Sequence, residues 1–312
     1  MESTCAFFGT EVARHISQAN QQELEQVTEI RLRADKPLIL KLGTKEYVIS
    51  ENGRGLMPFG HGATNGAGAY CPSRADIYET MERISRHSFY AFETELAMGY
   101  ITLPGGHRVG VAGQVVLENG AVRSWKHIGG INIRIAHSVF GCGSQVLPHI
   151  YKGGKFLHTM IIAPPGCGKT TLLRDIVRQI SNMGTTVGLV DERSEVAGCF
   201  QGVPQNDVGM RTDVLDGCPK AVAMDMLLRA MSPNVIAVDE LGGTEDARAV
   251  DAVINAGIKL LCTAHGVSVK DVTENPSLAP MLSRKVFERF IVLGTGNVVE
   301  GVFDGNGVAI AV

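Results

Sequence analysis

One stretch constrains the fold of this 312-residue chain more than any other: Ala163-Pro164-Pro165-Gly166-Cys167-Gly168-Lys169-Thr170, followed at once by Thr171. Upstream, residues 156–162 are mostly apolar and β-branched, which suits a buried strand. Downstream, residues 171–182 space their apolar side chains for a helix. A glycine-rich turn between strand and helix leaves backbone N–H groups free to point inward, and the helix N-terminus adds positive partial charge. Such a loop cradles a polyphosphate. Lys169 then reaches its outer phosphates and the Thr170 hydroxyl is placed to ligate Mg²⁺. Ala163 stands where the strict pattern has its first glycine, a position that tolerates Ala if the backbone there avoids positive φ. A glycine-containing turn with a solvated lysine shares the pattern, and the flanking strand and helix argue against it.

Acidic residues extend the argument. In an open parallel sheet, ligands sit beyond the carboxyl ends of the strands. Residues 235–238 are an apolar strand that delivers Asp239 and Glu240 to that edge. Asp239 is the expected Mg²⁺ partner, and Glu240 the base that orients and deprotonates an attacking water. Residues 186–190 deliver Asp191 and Glu192, with Glu195 close behind, and residues 258–264 deliver His265, a candidate γ-phosphate sensor. Cys167, inside the loop, is expected to be alkylated readily and protected by nucleotide.

The remaining 160 or so residues from the loop's strand onward alternate strand and helix, as a parallel doubly wound sheet requires. Ahead of them the pattern is α+β. A helical stretch near residues 12–27 precedes Glu29-Ile30-Arg31-Leu32-Arg33, which alternates like a half-buried strand, and residues 38–49 read as a hairpin. Residues 51–70 are glycine-rich and read as a flexible loop. Ser73 N-caps a helix expected to run to about residue 87, with Arg74, Arg83 and Arg86 on it. The domain plan is therefore residues 1–140 as a smaller α+β domain, 141–155 as a linker around Gly141-Cys142-Gly143-Ser144, and 156–312 as the α/β domain.

Composition narrows the class. A net charge of −3 lacks the basic excess of a protein built to coat nucleic acid, so no nucleic-acid partner is expected. No apolar run approaches the ~18 residues that span a bilayer, and the first eight residues do not form a signal peptide. Seven cysteines without a C-x-x-C pair fit a reducing, cytoplasmic setting, and nine histidines show no zinc spacing.

These strings together, with Val190-Asp191-Glu192-Arg193-Ser194-Glu195, Thr263-Ala264-His265-Gly266 and Gly105-Gly106-His107-Arg108-Val109-Gly110-Val111-Ala112-Gly113, resemble the ATPases of type II and IV secretion systems. Within that superfamily the chain is most similar to the stage III sporulation AA proteins of endospore-forming bacteria. The resemblance implies a RecA-like P-loop ATPase domain behind a smaller N-terminal domain, with ATP and Mg²⁺ as ligands and a homo-hexameric ring as the assembly. It places Asp191, Glu192 and Glu195 in an acidic box and His265 in a histidine box. It also implies an arginine that completes a neighbouring site by neutralising the transferred phosphoryl group, and Arg108 and Arg134 are the candidates. The implied role is to energise a channel complex between mother cell and forespore, from a peripheral position at the inner face of the membrane, through membrane-complex protein partners. A zinc-binding cysteine cluster, frequent in type II and IV enzymes, is lacking here. Two other readings stay open at this point: a RecA-like nucleic-acid motor, and a nucleotide-gated scaffold without significant turnover.

Overall fold

The computed structural model describes residues 6–52, 55–60, 66–85, 99–242 and 244–310. It separates into two compact units, residues 1–137 and 138–312.

The first unit is built on a seven-stranded antiparallel sheet in the order β4-β3-β2-β1-β7-β6-β5. Its strands are β1 (Val27–Arg33), β2 (Ile39–Leu42), β3 (Lys45–Ile49), β4 (Leu56–Phe59), β5 (Tyr100–Thr102), β6 (Arg108–Glu118) and β7 (Ala121–Arg134). The expected single helix near residues 12–27 is two short ones, α1 (Thr10–Ile16) and α2 (Gln21–Glu25). Asn20 caps the second through a box with Glu23, which explains the break: the caps of one helix interrupt the other. Helix α3 (Arg74–Ile84) starts where expected, since Ser73 and Asp76 each accept the other's backbone N–H, and it buries Ile77, Met81 and Ile84. It ends at Ile84; Arg86 and residue 87 lie outside the described residues. Part of the glycine-rich stretch 51–70 is ordered strand. β4 pairs with β3, and Tyr70 is tied by its own N–H to Ile49 O and by its carbonyl to Leu38 N. Residues 53–54 and 61–65 of that stretch lie outside the described residues.

The second unit is a three-layer α/β structure. Its sheet runs β12-β11-β13-β14-β10-β15-β16-β17, parallel as far as β15 and antiparallel beyond it. Residues 141–155, expected as a linker, belong to this unit: they carry α4 (Leu147–Ile150), β8 (Tyr151–Lys152) and the start of β9 (Lys155–Phe156), and Val146 and Ile150 are fully buried in its core. The expected first strand is β10 (Thr159–Ala163), buried at all five positions, followed by α5 (Lys169–Asn182). The other parallel strands are β11 (Val187–Asp191), β12 (Thr212–Asp216), β13 (Val235–Val238), β14 (Lys259–His265) and β15 (Arg289–Leu293), with α6 (Lys220–Ala230) and α7 (Thr244–Asn255) between them. Helices α8 (Val269–Glu274) and α9 (Ala279–Leu282) follow β14, and β16 (Val299–Asp304) and β17 (Ala309–Ile310) close the sheet.

Period-two alternation assigns the two faces. Ile161, Leu189, Ala237 and Leu261 pack under α5, whereas Met160, Ile162, Ile236 and Cys262 pack under α6 and α7. On α5, Leu172, Leu173, Ile176, Val177 and Ile180 are at most 2% exposed. Burial at about 1.5–3 kcal/mol for each large side chain makes this helix a fixed support for the loop that precedes it.

Candidate functional site

The loop between β10 and α5 lies at the carboxyl edge of the parallel strands. Gly166 and Gly168 sit at φ +78° and +84°. Gly168 is the N-cap of α5 and supplies no side-chain cap, so the first N–H groups of a fourteen-residue helix have no side-chain acceptor there. This is a built anion cradle. Gly168 also has no room for a side chain: a Cβ there would lie 1.2 Å from the Asn297 carboxamide.

Lys169 is 7% exposed and its ammonium is engaged by Ala163 O at 2.9 Å, Pro164 O at 3.4 Å and His265 Nδ1 at 2.8 Å. Burial lowers its pKa, and Glu240 and Asp239 oppose that shift. An ammonium donates only, so His265 Nδ1 accepts and the imidazole proton sits on Nε2, 3.1 Å from Glu240 Oε1. Lys169, His265 and Glu240 therefore form one hydrogen-bonded chain.

A second chain runs beside it. Thr170 Oγ1 donates to Asp239 Oδ2 at 3.1 Å, Thr263 Oγ1 donates to Asp239 Oδ1 at 2.9 Å, and Glu240 N donates to Thr263 Oγ1 at 2.9 Å. With Leu241 N bonded to Thr263 O, these contacts hold Glu240 at φ +49°, a left-handed conformation that costs an L-residue about 1–2 kcal/mol. Strain of this kind, fixed from both sides, aims a side chain. Burial raises the Asp239 pKa; the Thr263 and Thr170 hydroxyls oppose it, and Glu195 and Asp191 reinforce it. A hydroxyl and a carboxylate crowded by two further acids are hard oxygen donors with an excess of negative charge, which fits a divalent cation such as Mg²⁺.

The acids after β11 divide by role. Asp191 is 1% exposed and accepts backbone N–H bonds from Glu195 at 2.8 Å, Val196 at 3.1 and 3.2 Å and Ala197 at 2.8 Å. It anchors the loop that carries Glu195. Glu192 pairs with Lys220 Nζ at 2.8 Å, at the start of α6, and the two hydrogen-bonded chains do not extend to it. Cys167 is 6% exposed, so its thiol is packed away rather than offered for alkylation as the sequence suggested.

Most of the chain also matches known proteins. The family described as "Sporulation stage III, protein AA" matches residues 6–310. Stage III sporulation protein AA of Bacillus subtilis (strain 168) is 37% identical over 302 residues, covering 94% of this chain and 91% of that protein. The chain belongs to the sporulation stage III protein AA family. Its fold is that of the secretion-system ATPases. The Legionella pneumophila ATPase DotB superposes with a TM-score of 0.52 at 15% identity, over 86% of this chain and 72% of DotB. The pilus retraction motor PilT, solved with bound ADP, gives 0.52 at 14%, over 87% and 75%.

In this AA-family chain, two residues that sequence reasoning missed support the site. Arg174, one turn after Thr170 on α5, donates to Val196 O at 2.6 Å and Glu195 O at 2.8 Å, so the loop helix and the acidic loop are tied together. Asn297, in the turn between β15 and β16, has its carboxamide nitrogen on Cys167 O at 3.0 Å and Gly168 O at 3.2 Å. The Gly-Thr-Gly-Asn turn at 294–297 was the one local signal in the sequence, and in it Asn297 takes φ +64°. Arg108 and Arg134 lie in the first unit as register partners on β6 and β7. The Arg108 guanidinium stacks 4.7 Å from the Tyr100 ring centre. Burial raises the Glu29 carboxyl, but Arg31 and Asn132, with a smaller contribution from the Arg134 charge, hold it below its usual range. Among the described residues no helix is long and apolar enough to cross a membrane.

Proposed function

We propose that this chain is an Mg²⁺-dependent ATPase whose turnover energises a sporulation-associated channel complex, acting as a homo-hexameric ring on membrane-bound protein partners. The observation that carries the reading is the pair of coupled chains, Lys169–His265–Glu240 and Thr170–Asp239–Thr263, assembled at one sheet edge.

Phosphate oxygens entering the loop meet the N–H groups of residues 166–170 and compete with Ala163 O and Pro164 O for the Lys169 ammonium. Thr170 and Asp239 would hold Mg²⁺, which supplies charge neutralisation on the transferred phosphoryl group. Glu240, half exposed and aimed by its left-handed backbone, accepts the proton of the attacking water. His265 lies between the lysine and the base, so a change in what Lys169 grips is felt at Glu240 through one imidazole. Arg108 and Arg134 are the residues we assign to the neighbouring subunit's site in the ring. The fold shared with DotB and PilT and the AA-family membership support the direction of this reading.

Glu240→Gln tests it. The variant should bind a fluorescent ATP analogue normally and lose turnover by about 10²-fold or more. Unchanged turnover refutes the base assignment, and loss of nucleotide binding in the same variant refutes the division of labour between loop and base.

A further inference from the structure

The first unit contains a concave site of a different chemistry. Beyond Gly130 the ribbon of β6 and β7 leaves the sheet: β1 pairs with β7 only as far as Gly130, its last rung being Ala34 N to Gly129 O. Asp35, at φ +59°, then turns the chain away. Over the ribbon, β7 is bulged at regular intervals. The register steps from Gly130 to Ile128, from His127 to Trp125 and from Ser124 to Val122, which leaves Gly129, Lys126 and Arg123 without an opposite residue on β6. The bulges demand close backbone approach, since a Cβ on Gly113 would lie 1.9 Å from His127 O. Each bulge increases twist and re-aims a side chain. Together they form one wall of a cavity of about 1120 Å³ between the ribbon and α3.

The lining is selective. Arg74 on α3 and Arg123, Lys126 and His127 on β7 supply cationic or proton-donating groups, and Tyr78 and Trp125 supply aromatic ones. No carboxylate lines it among the described residues. Glu118, the partner of Arg123 at 3.1 Å, lies outside the lining, on an ion pair whose members are both more than half exposed and therefore easily exchanged. Cations interleaved with aromatic faces recognise a phosphate carried next to a planar ring. A metal cation or a polyamine finds no acid among the described lining residues. Strand addition along β7 is blocked by the bulges that break its edge, which disfavours an extended peptide. The chain's net charge of −3 gives no hint of this local cationic patch.

We propose that this groove binds a nucleotide unit, phosphate and base together, at a site separate in sequence and unit from the P-loop. The unit can come from a free nucleotide or from a single-stranded nucleic acid, and both present the same chemistry. Trp125 is the chain's one tryptophan, so it reports on the site directly.

The full-length protein is titrated with AMP, with an eight-residue oligodeoxythymidylate and with octaglutamate, reading tryptophan fluorescence. Quenching by AMP assigns a free nucleotide, and quenching by the oligonucleotide alone assigns a strand; either supports the site. In each case Tyr78→Ala should weaken binding about tenfold, and Lys126→Glu by a similar factor with a reduced salt dependence. The response must persist in Lys169→Ala, which separates it from nucleotide at the P-loop and from the fate of the ATPase reading. A flat signal with both nucleotide probes overturns the proposal, as does an equal response to octaglutamate, which would mean charge alone. Circular dichroism of each variant shows that it is folded, and loss of binding with lost ellipticity is replaced by the Arg74→Gln variant, which removes one exposed cation; undiminished binding there also counts against the site.

Discussion

Replacing Asp191 with Asn separates an anchoring acid from a reacting one. The carboxylate accepts three backbone N–H groups, those of Val196 and Ala197 buried and that of Glu195 partly so: Oδ1 takes Glu195 and shares Val196, and Oδ2 takes Ala197 and shares Val196. An asparagine of the same shape keeps one oxygen. Whichever way its amide turns, an NH₂ group faces either Glu195 N or Ala197 N, leaving the part-buried donor of Glu195 or the buried donor of Ala197 without an acceptor at a cost of about 1–3 kcal/mol. The two surviving bonds lose their charge assistance, roughly 1 kcal/mol more. A total of about 3 kcal/mol corresponds to a drop of about 6–12 °C in the melting midpoint of a unit of this size. Calorimetry or circular dichroism on the full chain reads this. Glu192→Gln, on a partly exposed ion pair with Lys220, serves as the comparison and should cost about 1 kcal/mol or less, well under the Asp191 effect. The reasoning fails if Asp191→Asn melts with the native protein yet loses turnover well below the transition, because the acid would then act on the reaction itself.

Two further outcomes follow from the geometry. Asn297→Asp places a carboxylate against Cys167 O and Gly168 O, so affinity for a fluorescent ADP should fall about tenfold while Asn297→Ala, which removes two neutral hydrogen bonds, falls less; equal affinity in all three proteins would remove Asn297 from the loop's support. Asp175 is 1% exposed, and burial raising its pKa is outweighed by the Gly143 amide, Arg178, the Gly141 amide and Gln179, leaving the carboxyl below its unfolded value. Its contribution is thus complete above the unfolded pKa of about 4 and is lost as pH falls through the folded value. In urea unfolding, the stability difference between the native protein and Asp175→Asn should be constant near neutrality and shrink below about pH 4; a constant difference at every pH would contradict the assignment.

The parts of the site that were readable in sequence are those where one short string sets both backbone and chemistry. The P-loop needs only its glycines and Lys169, and an apolar run ending in Asp239-Glu240 or His265 announces a strand and what it delivers. What could not be read depends on distant partners. Strand β12 is half-buried along its length and mixes two acids with its apolar residues, so it lacks the continuous apolar signal of β13. Asp191 looked like one of several clustered acids because its acceptor role is defined by backbone N–H groups that only the folded loop presents. Glu192 looked equivalent to it, and only the position of Lys220 distinguishes the two. Asn297 is 129 residues from Gly168, a separation at which no local pattern operates. In the first unit, the bulges that build the cationic groove are invisible to alternation, because they are departures from it.

The internal bonds of Lys169 bear on how such a protein would let go. An ammonium already shared among two carbonyls and an imidazole is not waiting for a partner, so an arriving ligand obtains only the difference between what it offers and what the loop offers. That difference is large for a multiply charged phosphate chain and small for a neutral or weakly charged group. It also works in reverse: on departure the lysine returns to contacts that are already in place, and the barrier to release is lowered by the same bonds that lowered the gain on capture. Capture and release would thus be governed by the same side chain, because Lys169 has Ala163 O, Pro164 O and His265 to return to.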